Sequence, residues 1–145
     1  MTATTPATYL ADQIADEMTI ARLLGYRKLE PVIPTVGNPN TIWGVAPDFK
    51  PEWEGATGRG MLPQWRRSWA GAGELIARYN INVAQRGAEV PELGGVTIEA
   101  HCRISESDLS YFEFVADHQT KEAAIWAAVC KAAIAYLSAK AESKA

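Results

Sequence analysis

Val96-Thr97-Ile98-Glu99-Ala100-His101-Cys102-Arg103-Ile104 changes from apolar to polar at every step. Val96, Ile98, Ala100, Cys102 and Ile104 point one way, and Thr97, Glu99, His101 and Arg103 the other, which is the period of a strand with one dry face. Ser105–Ser110 reads as a turn and Tyr111–Ala116 as the returning strand. Its apolar set is Phe112, Phe114 and Ala116, with Tyr111 and Glu113 on the opposite face beside Val115. Opposed alternation across so short a connection is the signature of an antiparallel hairpin.

Helical patterns flank this hairpin at both ends of the chain, so the fold class is mixed α/β. Thr5-Pro6 sets a capping residue before a first-turn proline. Leu10, Ile14, Met18, Ala21 and Leu24 then recur at helical spacing, and Gly25 supplies the stop. A first helix is expected over about Pro6–Leu24. A second begins after its cap, Ser68, and ends at Tyr79, with Trp69, Ala72, Ile76 and Tyr79 on its apolar face. Gly71 and Gly73 weaken that helix, and a close approach to a neighbouring sheet would explain them. Ile81–Arg86 reads as another strand. The last helix, capped by Thr120, runs to about Ala139 with Lys131 as its only charge between Ala123 and Leu137. A helix apolar almost all round must bury more than one face. A sheet covers one, so the rest is expected to meet another helix or a second subunit, with Trp126 and Tyr136 as anchors.

Residues 31–67 break this regularity. Between Pro31 and Trp69 lie six of the eight prolines and four of the five tryptophans. A short strand at Thr41–Ala46 is expected inside an otherwise irregular but ordered loop, because tryptophans supply the apolar area that disordered segments lack. Gly55-Ala56-Thr57-Gly58-Arg59-Gly60 has no Gly-Lys-Ser/Thr ending and reads as a turn rather than a phosphate cradle.

The totals bound the problem. The 145 residues fit one domain over 1–145, and 48% hydrophobic with 21% charged residues is ordinary for a soluble protein. A net charge of −3 leaves no electrostatic footprint for nucleic acid. Neither a signal peptide nor an uninterrupted membrane-length run is seen, which points to the cytoplasm. Cys102 on a strand and Cys130 on a helix are expected as buried, reduced thiols. The expected fold is α/β, with three main helices around a largely antiparallel sheet of about four strands.

Leu62-Pro63-Gln64-Trp65-Arg66-Arg67-Ser68-Trp69-Ala70-Gly71-Ala72, followed by Leu75-Ile76, resembles the central motif of the phage ABA-sandwich domain family. That motif combines Leu-Pro, an aromatic, a short polar run and an alanine-rich helix. Ala123-Ala124-Ile125 to Leu137 is similar to the family's closing helix, and Gly25-Tyr26 to its early Gly-Trp position. Arg66-Arg67-Ser68 stands where the family usually carries Ser-Thr-Asp, so no role of its acidic residue carries over. The resemblance implies a three-layer α/β/α sandwich in a phage-encoded protein and implies no established activity.

Two groups of residues have the chemistry for a site. Trp43, Trp53 and Trp65 with Arg59, Arg66 and Arg67 combine flat indoles with guanidinium forks, which would suit a small anionic or nucleotide-like ligand. The plainer reading makes the tryptophans a mini-core under the loop. Glu99, His101, Tyr111 and Glu113 on one hairpin face would provide a general base and a proton donor. The plainer reading there is a solvated face with cross-strand charge pairs. No cofactor and no metal centre is expected. Neither cysteine lies beside a histidine on the same face, and no serine sits in a nucleophile elbow.

Three function classes follow. The leading one is a non-catalytic phage accessory protein that self-associates, most simply as a dimer, and binds a small anionic ligand to sequester a host signal. The second is a structural or protein-interaction module, and the third a small hydrolase using a His/Glu pair.

Overall fold

The structure is a computed structural model that describes residues 6–32, 41–51, 55–86, 96–104 and 107–143. Three helices carry the chain: α1 (Pro6–Leu24), α2 (Trp69–Tyr79) and α3 (Lys121–Ser143). Strands β1 (Arg27–Val32), β2 (Thr41–Val45) and β3 (Arg59–Met61) form one antiparallel sheet. Strands β4 (Asn82–Arg86), β5 (Thr97–Ile104) and β6 (Ser107–Phe114) form a second. The fold is mixed α/β with two three-stranded sheets, where a single sheet of four strands is expected from sequence.

The helix ends follow the expected chemistry. Gly25 takes φ +93°, and the Tyr26 N–H closes onto the Ala21 carbonyl at 2.9 Å. Ser68 Oγ accepts the Gly71 N–H at 3.1 Å and donates to the Gln64 carbonyl at 3.0 Å. Asn80 stops α2 in the left-handed conformation, and Thr120 Oγ1 accepts the Ala123 N–H at 3.1 Å. Thr5 lies outside the described residues.

Two expectations for the middle of the chain also change. Part of the supposed irregular region is sheet: β1 runs into it, and β3 pairs Trp43 with Met61 and Val45 with Arg59. Segments 33–40 and 52–54 lie outside the described residues. The close approach at Gly71 is to the chain entering α2, not to a sheet. A Cβ there would stand 2.7 Å from Trp65 Cα and collide with the Gln64 carbonyl, whereas one at Gly73 meets nothing.

α3 organises the core. It packs on β5 and β6 on one side and on α1 and α2 on the others. Ala124, Ala128, Val129, Cys130, Ala132 and Ala133 are fully buried, joined by Ile20, Trp65, Leu75, Ile98 and Cys102. Small residues let α3 approach all its neighbours closely. Of the two covers expected for its remaining apolar surface, another helix or a second subunit, the chain itself supplies the first through α1 and α2. Trp126 sits edge-on to Trp69 of α2 at 5.7 Å, and Tyr136 lies 4.9 Å from Tyr79. Lys121–Glu142 is long and apolar enough to cross a membrane, yet half of it is buried in this fold. Both thiols are free and buried.

The two strands pair antiparallel as expected, but the returning strand shows the opposite face. It starts at Ser107, inside the expected Ser105–Ser110 turn, and ends at Phe114 before the 3-10 turn Val115–Asp117. Register pairs Ile98 with Glu113, Ala100 with Tyr111 and Cys102 with Leu109. Tyr111 and Glu113 therefore face α3 and the core. Phe112 and Phe114, expected inside, are 50% and 44% exposed on the outer face.

Candidate functional site

Arg66 and Arg67 sit on the short segment between Trp65 and the Ser68 cap, which the Gly71 contact presses against α2. This segment lies over α1, and the acids at the centre of α1 receive it. Glu17 has no solvent exposure. It accepts the Arg66 backbone N–H at 3.0 Å, and the Arg67 guanidinium grips it through Nε at 3.1 Å and NH2 at 2.7 Å. Arg66, with a side chain 7% exposed, reaches Asp16 Oδ2 at 2.7 Å. The Arg67–Glu17 fork is charge-assisted and held almost entirely out of water, which makes it the strong contact of the group.

A second polar group adjoins the first. Glu113 of β6 stands between His118 Nε2, at 2.9 Å, and the Lys131 ammonium of α3. Burial pushes the Glu113 carboxyl up, but the His118 hydrogen bond and the Lys131 hydrogen bond and charge outweigh it and hold its pKa below the ordinary value. Burial raises the Asp16 pKa, with the Arg66 charge opposing, and Asp16 also feels Glu113 and Lys131. The two groups form one electrostatic neighbourhood, in which Asp16, Glu17 and Glu113 face Arg66, Arg67 and Lys131. Burial likewise drives the Cys130 thiol far above its ordinary pKa, which suppresses the reactive thiolate.

The residues expected to hold an anionic ligand are dispersed. Trp65 is fully buried, edge-on to Tyr26 at 6.1 Å. Trp43 lies half-buried on the first sheet and donates its Nε1–H to Thr41 Oγ1 at 3.1 Å. Arg59 pairs with Glu30 across that sheet, while Trp53 lies outside the described residues. Arg66 and Arg67 are held by the α1 carboxylates. An anion would have to displace these partners.

The expected hairpin-face site is also divided. Glu99 and His101 share the outer face, where His101 stands opposite Asn82 and Ser110. A hydrogen bond from Arg86 Nε at 3.0 Å lowers the Glu99 pKa. Tyr111 and Glu113 are on the inner face, so the sheet separates the two carboxylates. The histidine that does meet Glu113 is His118, from the 3-10 turn Val115–Asp117 and its C-cap. Among the described residues, no three His, Cys, Asp or Glu side chains converge as a metal-binding group.

Sequence reasoning missed Glu17 as the receptor for the arginines. Its signal was present: Glu17 occupies the stripe three residues after Ile14 and four before Ala21. An acid in that slot either ruins the helix face or has a buried partner. Comparison with protein-family models, curated proteins and solved structures finds no match.

Proposed function

We propose that this chain is a non-catalytic protein-interaction module that self-associates, acting in the cytoplasm as a phage-encoded accessory protein. The observation that carries this reading is the contrast between its occupied polar groups and its open sheet face. Arg66 and Arg67 are held by Asp16 and Glu17, while Phe112 and Phe114 stand exposed on the uninterrupted strand β6. Exposed aromatic rows on regular secondary structure are typical of contact surfaces. The His118–Glu113 pair has the distance a general base requires, but side chains only 4% and 15% exposed leave a substrate little access. The origin in a phage and the three-layer arrangement rest on the Leu62–Ala72 resemblance. In a sandwich of that kind, a further layer would cover the open face of the second sheet. Sedimentation equilibrium at micromolar concentrations tests the reading. Self-association is the expected result, and a persistent 15.8 kDa monomer would sink it.

A further inference from the structure

Four strand edges border the two sheets, and their chemistry differs. β1 is interrupted by a bulge between Arg27 and Glu30, holds Lys28 at φ +52° and contains Pro31. β3 has three residues, two of them Arg59 and Gly60. β4 has five and ends in Arg86. Bulges, prolines, basic residues and shortness are the usual protections against edge-to-edge pairing. β6 is the least protected: Ser107-Asp108-Leu109-Ser110-Tyr111-Phe112-Glu113-Phe114 pairs with β5 through eight uninterrupted positions without bulge, proline or basic residue. Its charges are Asp108 and the inward-facing Glu113. Among the described residues, no strand pairs with its other side.

The outward groups can be assigned. The Val115 N–H bonds the Val96 carbonyl at 3.0 Å, in line with the β5–β6 register. Antiparallel ladders alternate, so the odd-numbered residues of β6 direct their N–H and C=O to β5. Ser110, Phe112 and Phe114 direct theirs away from the sheet, and the same three side chains are exposed on its outer face.

We infer that β6 is an isologous two-fold interface, pairing antiparallel with β6 of a second copy about Phe112 to make one continuous six-stranded sheet. This inference rests on the self-association reading above. The centre at Phe112 sets Phe112 against itself, Phe114 against Ser110 and Tyr111 against Glu113. Four phenylalanines then meet on one outer face, and no two acids stand opposite each other. Aromatic cross-strand pairs are the stabilising kind, and like charges directly opposed are not. A second copy fits better than β4 of another molecule. The β6–β6 contact uses up the least protected edge and closes, whereas β6–β4 contacts would propagate into an open chain.

The test combines three variants with sedimentation and non-reducing electrophoresis of the full chain. Phe112→Cys should form a disulfide-linked dimer on mild oxidation, because directly opposed residues fall within disulfide reach. Ala84→Cys, on the same outer face but on β4, should not. Ser110→Pro removes an outward N–H while sparing the β5 ladder, and should raise the dimer dissociation constant more than tenfold with the circular dichroism of a folded chain. Phe112→Asp gives the same reading if the proline variant fails to fold. A wild-type dimer that persists in Ser110→Pro or Phe112→Asp, or one without the Phe112→Cys link, overturns the β6 interface and leaves self-association standing. A wild-type chain that stays monomeric overturns both.

Discussion

Arginine meets carboxylate in two parts of this molecule, with opposite consequences. Between α1 and the turn entering α2, Arg66 and Arg67 close on Asp16 and Glu17 across about fifty positions of sequence, with Glu17 and Arg66 buried, Arg67 nearly so and Asp16 at the edge of the cluster. Across the first sheet, Arg59 pairs with Glu30 where both side chains are well exposed. The residue types are the same and the energetics are not. An exposed pair gains little over its separate hydration. A buried pair costs much to desolvate, so removing one partner strands the other at full penalty. Burial, rather than the pairing itself, decides which arginines hold the fold and which decorate it.

The largest effect is therefore expected at Glu17. Glu17→Gln should destabilise the chain by about 3–5 kcal/mol in urea unfolding, since Arg67 would keep its charge without its carboxylate. A loss under about 1 kcal/mol would mean that the cluster is hydrated and that the two regions are alike.

Glu113 extends the comparison to pH. Its folded pKa is held below the ordinary value, so its stabilisation is fully present above the usual carboxylate range and is lost as pH falls through the folded pKa. Glu113→Gln should cost about 1.5–3 kcal/mol at neutral pH. Thermal melts of variant and wild type should converge as the solution is acidified through that range. A gap independent of pH would show that the carboxylate charge is not what His118 and Lys131 recognise.

Gly71 and Gly73 sharpen the comparison by asking what presses the arginines onto α1. Gly71→Ala should cost about 1–3 kcal/mol, because its methyl group meets the Gln64–Trp65 backbone. Gly73→Ala, with open space around it, should be neutral or stabilise by up to about 1 kcal/mol. Equal melting shifts for the two would remove the close contact from the account. The smallest effect belongs to Arg59→Ala, expected within about 1 kcal/mol of wild type and shrinking further in salt.

The local elements were legible because their causes are local. Pro6, Gly25, Ser68, Asn80 and Thr120 act within one turn of where they stand, and each helix begins or ends beside them. The β5–β6 hairpin was legible too, from alternation over a short connection. The face of β6 was not. Phe112 and Phe114 look like the core-facing set by hydrophobicity, but register with Ile98, Ala100 and Cys102 places Tyr111 and Glu113 inside. Glu113 is tolerated there because His118 and Lys131 compensate it, and no property of the strand alone announces those partners.

The sequence by itself determined the three helices, their stops at Gly25 and Asn80 and their caps at Ser68 and Thr120, the antiparallel hairpin and the burial of both thiols, since each follows from periodicity or from residues a few positions apart. α3 runs on to Ser143, past the expected end near Ala139. Only the tertiary structure decided that Arg66 and Arg67 belong to Asp16 and Glu17, that the two sheets are separate, and that α3 finds its cover within the chain. Those outcomes depend on groups brought together across roughly fifty to a hundred residues, where chain connectivity imposes no register and only packing and desolvation choose the partner.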